Sequence, residues 1–88
     1  MKEKSKSEAD RLFINLGYKK EKDNFLNFIE YVKELDKKKE YVISFEENNK
    51  SVCCAIFGYN YNSEPAAIDM QELNAIIKKC DELGWLNE

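Results

Sequence analysis

Between Asp69 and Trp85 the apolar positions keep a single spacing. Leu73, Ile76, Ile77, Cys80 and Leu83 recur three and four residues apart, the interval that lays side chains along one stripe of an α-helix. Asp69 stands where the first turn needs a cap, and Glu72 can reach back to the cap N–H as the other half of a capping box. Gly84 ends the stripe, because a residue without Cβ enters the left-handed cap conformation at least cost, and Trp85 can then close over Cys80. The same pattern opens the chain. Ser5 or Ser7 offers an N-cap, Ala9, Leu12, Phe13 and Leu16 form the apolar side, and Leu16-Gly17-Tyr18 repeats the Leu-Gly-aromatic ending. Two amphipathic helices are predicted, one near each end, with residues 1–5 as a frayed lead.

Period two governs the middle of the chain. Tyr41, Ile43 and Phe45 share one face of an alternating stretch from Glu40 to Glu46, and Glu47-Asn48-Asn49-Lys50 is a turn rich in residues that tolerate positive φ. Ser51 to Phe57 follows as the second strand of a hairpin; it is apolar on both faces, which places it centrally in a sheet. Ala66 to Ile68 reads as a short last strand. Residues 25–35 fit two templates: Phe25, Phe28, Ile29, Val32 and Leu35 make a helical stripe, whereas Phe25, Ile29, Tyr31 and Leu35 fit alternation in an aromatic and β-branched segment. Periodicity slightly favours the helix.

The fold class that results is α+β: a small antiparallel sheet of three to four strands with an N-terminal and a C-terminal helix on one face, since each helix has one apolar stripe to bury. A helical 25–35 would make it three helices on a smaller sheet. The expected core is Leu12, Phe13, Leu16, Ile43, Phe45, Val52, Cys54, Ile56, Leu73, Ile76, Ile77, Cys80 and Leu83.

Composition narrows the chemistry. Eighty-eight residues with one Pro and three Gly make a single domain over 1–88, with no linker and no room for a deep cleft. No apolar run reaches the ~18–20 residues of a membrane span, and the Lys-rich start lacks a signal-type apolar stretch, so a cytoplasmic, membrane-free protein is expected. The chain has no histidine and three cysteines, Cys53, Cys54 and Cys80. That removes His-based nucleophile activation and the usual metal-ligand spacings, so reduced thiols, no metal and no cofactor are expected. Cys53 and Cys54, adjacent on a strand, point to opposite faces. The carboxylate neighbours Glu46 and Glu47, and Asp81 and Glu82, also point apart, and neither pair has a companion nucleophile. An enzyme is the weakest class.

Net charge is −3 and unevenly spread: residues 1–40 carry 11 Lys and Arg against 9 Asp and Glu, residues 41–88 carry 3 against 8. The one basic triplet, Lys37-Lys38-Lys39, reads as a solvated turn. The candidate surface is Phe57 to Pro65, where Tyr59, Asn60, Tyr61 and Asn62 offer rigid contact area with adaptable polar groups, a mixture favoured in binding loops. Against it stands the plainer reading that Tyr59 and Tyr61 extend a strand beside Phe57. Trp85 is a second candidate and equally reads as a helix-end anchor. Protein binding leads; nucleic-acid binding would need the lysines of 19–39 gathered on one face, and a homodimer through an open sheet edge is a third, structural possibility.

The chain also resembles a family of small uncharacterised phage and prophage proteins. The resemblance is carried by Ala9-Asp-Arg-Leu-Phe13, Leu16-Gly-Tyr-Lys19, the Tyr41 to Phe45 strand, Ile68-Asp-Met-Gln-Glu-Leu-Asn-Ala-Ile76 and Glu82-Leu-Gly-Trp85. It implies a strand around Phe28 to Lys33. It also implies an accessory protein made inside a bacterial host. The protein-binding class is then engagement of a host or phage protein, which includes inhibition of a bacterial defence system. No site residues come with it.

Overall fold

A computed structural model describes residues 7–23, 27–36, 38–58 and 63–86. The elements run α1 (Glu8–Asn15), β1 (Lys19–Asp23), β2 (Phe28–Asp36), β3 (Lys39–Glu46), β4 (Ser51–Phe57), β5 (Ser63–Pro65) and α2 (Met70–Glu82). The five strands form one antiparallel sheet in sequence order, β1-β2-β3-β4-β5.

Segment 28–36 is a strand, as the resemblance implied and against the slight preference of periodicity for a helix. The reason is cross-strand pairing. Ile29 lies opposite Phe45 and Tyr31 opposite Ile43, while Ile43 and Phe45 pair on their other side with Cys54 and Val52. An alternating segment beside an alternating partner buries every second side chain on one face, and here Ile29, Tyr31, Ile43 and Phe45 are all buried.

The sheet has five strands rather than three or four. Lys19–Asp23 carries no apolar signal, yet it pairs with β2 along its whole length as a charged edge strand, the composition that guards an edge against further pairing. The last strand is Ser63–Pro65; Ala66 to Ile68, expected to be that strand, is not in it. Pro65 sits on the other edge, where a missing N–H is tolerated.

Both helices end as their glycines dictate. Gly17 (φ +99°) and Gly84 (φ +81°) are left-handed. In each, the glycine N–H donates to the carbonyl three residues back (Ile14, Asp81) and the aromatic N–H to the one five back (Phe13, Cys80), at 2.9–3.0 Å. These are Schellman closures. They bring Tyr18 and Trp85 onto the core, where Phe13 stacks on Tyr31 (centroids 3.9 Å apart) and meets Tyr18 edge-on, and Trp85 lies 6.2 Å from Phe45.

Two residues of the expected core lie outside it: Leu73, which is half-buried and not part of the central cluster, and Ile77. Ile77 is 48% exposed, because the buried arc of α2 is centred on Glu72, Ala75, Ile76 and Lys79, leaving Ile77 on the far side. Leu12, Leu16, Val52, Cys54, Ile56, Cys80 and Leu83 are half-buried against a centre that also contains Tyr18, Ile29, Tyr31, Tyr41 and Ala75. Among the described residues no helix is long and apolar enough to cross a membrane.

Candidate functional site

Tyr59, Asn60, Tyr61 and Asn62 lie outside the described residues. Their flanks are described: Phe57 of β4 and Ser63 of β5 are paired. Trp85 is half-buried against Phe45 and held by the helix closure, the anchoring position of its plainer reading.

On the helix side of the sheet, two charged residues of α2 are buried that the sequence reading did not single out for burial. Glu72 accepts from the Asp69 N–H through Oε1 (3.0 Å) and from the Tyr18 hydroxyl through Oε2 (2.7 Å), with the Lys33 ammonium 3.6 Å away. The capping box foreseen from Asp69 and Glu72 is present, and one carboxylate thereby ties the start of α2 to the end of α1. Lys33 Nζ also lies 4.8 Å over the Tyr18 ring, within cation–π range. Burial, reinforced by Glu72, pushes the Tyr18 hydroxyl far above its ordinary pKa and the Tyr41 hydroxyl up to about 12.

The second cluster centres on Lys79, whose Nζ stands 3.4 Å from Asp10 Oδ1 and 3.8 Å from Glu82 Oε1. Asp10 also accepts from the Tyr31 hydroxyl and from Lys20 (2.9 Å). Glu82 accepts from Ser7 Oγ (2.6 Å) and from the Ala9 N–H (3.0 Å), so it caps the start of α1 from the end of α2. Partial burial works to raise the pKa of both carboxyls. Tyr31, Lys20 and Lys79 around Asp10, and Ser7, Ala9 and Lys79 around Glu82, outweigh it and hold both below their ordinary values. Each charge in these clusters already has partners within the fold. Their chemistry is that of fasteners between helices and sheet.

The other face of the sheet is different. Among the described residues no element packs on it, and the strand register lays its side chains in rows. Lys19, Val32, Val42, Ala55 and Pro65 form one row across all five strands. Glu21, Glu30, Ser44 and Cys53 form the row on one side; Glu34, Glu40, Phe57 and Ser63 form the row on the other. Val42 is buried between Val32 and Ala55, and Phe57 is 41% exposed. Glu21 lies directly opposite Glu30, and Glu34 directly opposite Glu40. A like-charge pair directly opposite is unfavourable in a sheet, and among the described residues Glu30 accepts a long 3.4 Å contact from Ser44 Oγ. Between these pairs lies a depression of about 380 Å³ lined by Gly17, Lys19, Glu21, Val32, Glu34 and Glu40. The signal for this face was in the sequence as Glu30-Tyr-Val-Lys-Glu34 and Glu40-Tyr-Val, but it emerges only when the register is known.

Cys53 is exposed on this face, while Cys54 and Cys80 are half-buried and burial raises both thiol pKa values. Comparison with family models, curated proteins and solved structures gives no match to the chain.

Proposed function

We propose that this chain acts by non-catalytic recognition of a protein, as an accessory protein of the phage and prophage type it resembles, acting on a protein of the bacterial cytoplasm. The observation that carries the reading is the sheet face on which no element packs among the described residues, with an apolar row across four strands (Val32, Val42, Ala55 and Pro65) and a half-exposed Phe57 at one end. Apolar surface left on a rigid scaffold marks a contact site more often than a solvated face. Tyr59, Asn60, Tyr61 and Asn62 follow Phe57 in the chain, and their composition suits the rim of such a contact. Nucleic acid is disfavoured by three of the described lysines of 19–39: Lys20 and Lys33 are engaged with Asp10 and Glu72, and Lys19 stands among carboxylates.

The test is affinity capture from bacterial lysate with the tagged full chain, compared with Phe57→Ala and with Tyr59→Ala/Tyr61→Ala. A protein retained by the wild type and lost by these variants, with the thermal midpoint moved by no more than a few degrees, supports the reading. Variants that stay folded and retain every captured protein remove this end of the sheet from the site.

A further inference from the structure

We infer that the open sheet face docks a cationic polypeptide surface, with Val32, Ala55 and Phe57 meeting its apolar part and the Glu21–Glu30 and Glu34–Glu40 pairs receiving its Lys or Arg side chains. The inference rests on the protein-recognition reading and adds the chemistry of the partner. The three rows hold four carboxylates and a single cation, Lys19. They are placed so that each acidic pair repels itself across two strands, a cost that falls when a cation comes between the two carboxylates. The depression is lined by Val32 and by Glu21, Glu34 and Glu40 against the one cation Lys19, so it offers a lysine or arginine side chain an apolar contact for its stem and a net acidic surround for its head.

Charge also decides among occupants. A second copy docked face to face by two-fold symmetry would set these carboxylates against one another. Nucleic acid and anionic lipid headgroups would be repelled for the same reason. A neutral peptide would cover the valine row while drawing four carboxylates out of water without partners, the expensive case for buried charge. A basic protein surface satisfies both the apolar row and its acidic borders.

The probes are three synthetic peptides of equal length: alternating Lys and Val, alternating Glu and Val, and alternating Lys and Ser. Exposed Cys53 lies in the row bordering the valines, so its alkylation rate, read by mass spectrometry on the full chain, reports occupation of the face. The Lys–Val peptide is expected to slow Cys53 alkylation severalfold and the Glu–Val peptide to leave it unchanged. The Lys–Ser peptide should bind more weakly than Lys–Val. The variant Glu30→Gln/Glu34→Gln/Glu40→Gln removes one member of the first acidic pair and both of the second, so its thermal midpoint should be equal or higher while peptide affinity falls about tenfold or more. The charge-matched control Glu8→Gln/Glu64→Gln/Asp81→Asn alters exposed carboxylates elsewhere and should leave affinity within about twofold. Absence of Cys53 protection, or equal weakening by the two triple variants, overturns the inference. A lysate partner lost with the Phe57 or tyrosine variants but retained by the open-face triple variant would keep protein recognition and remove the cationic partner; loss of neither would remove both.

Discussion

Replacing Glu72 by alanine is the sharpest test of how the two helices are fastened. Its carboxylate serves the Asp69 N–H and the Tyr18 hydroxyl at 3.0 and 2.7 Å. Tyr18 is only 3% exposed, so Glu72→Ala leaves its O–H without an acceptor, at a cost of about 1–3 kcal/mol. The cap N–H loses its partner as well, worth about 0.5–1 kcal/mol more. Lys33, 3.6 Å away with its side chain 29% exposed, is rehydrated at little cost. The expected loss is about 2–4 kcal/mol, out of the ~5–15 typical of a domain, or roughly 10–30 °C in Tm for a chain of this size. Tyr18→Phe alone should cost about 1.5 kcal/mol, since the carboxylate keeps its other partners. The double variant should cost less than the sum, with a coupling of about 1–2 kcal/mol. Urea unfolding followed by far-UV circular dichroism and Trp85 fluorescence measures all three. Additive effects, or a Glu72→Ala loss no larger than that of a simple exposed cap, would refute the buried bond.

Lys79→Met keeps the aliphatic stem but removes the ammonium between Asp10 and Glu82. It should lower stability by about 1–3 kcal/mol, less than for a tight buried pair because the contacts are long and both carboxylates have other partners; an unchanged melt would show that the cluster contributes nothing. Asp10 and Glu82 have folded pKa values depressed below 3.8 and 4.5, so their contribution is complete above those unfolded values and is lost as pH falls through the lower folded ones. Melts taken downward from neutral pH should decline in that window, and Asp10→Asn/Glu82→Gln should flatten the decline. Tyr18, Tyr31 and Tyr41 are raised above 10.0, which gives the opposite sign: stability is whole below pH 10 and falls above it, with tyrosinate absorbance from these three rising together with unfolding. Gly84→Ala meets open space and should cost only the left-handed backbone penalty of about 1–2 kcal/mol, whereas at Gly17 the new Cβ would also come 3.2 Å from Lys33 Cδ, so Gly17→Ala should melt lower.

What could be read from the sequence was local. The caps at Ser7 and Asp69, the glycine closures and the β3–β4 hairpin each depend on a few adjacent residues, and all are present. What escaped depends on neighbours far along the chain. Lys-Lys-Glu-Lys-Asp at 19–23 is a strand because β2 offers it an edge, and nothing within those five residues favours one. The acidic pairs of the open face exist only through the β1–β2 and β2–β3 registers. Tyr18 was visible as a helix ending and Tyr31 as one position of an alternating segment, but the acceptors of their buried hydroxyls, Glu72 and Asp10, lie 54 and 21 residues away.

The exposure of Ile77 shows how those distant acceptors set the geometry of α2. Leu73, Ile76, Ile77, Cys80 and Leu83 form a stripe wide enough that two rotations of the helix would bury comparable apolar area. Apolar burial is proportional to area and indifferent to direction, so it cannot choose between them. Buried charge can, because it is tolerated only where partners wait. The observed rotation gives Glu72 the Tyr18 hydroxyl and gives Lys79 two carboxylates; turning Ile77 inward would carry both charges away from them. The two rotations predict opposite results at adjacent positions. In the observed one Ile76, 7% exposed, should cost roughly 2–5 kcal/mol on substitution by alanine through lost transfer energy and a cavity. Ile77→Lys should stay within about 0.5 kcal/mol of the parent, as for an ordinary surface change. Paired thermal melts decide it: an Ile77→Lys protein that unfolds while Ile76→Ala is tolerated would mean that the apolar stripe, and not the buried charges, sets how α2 lies on the sheet.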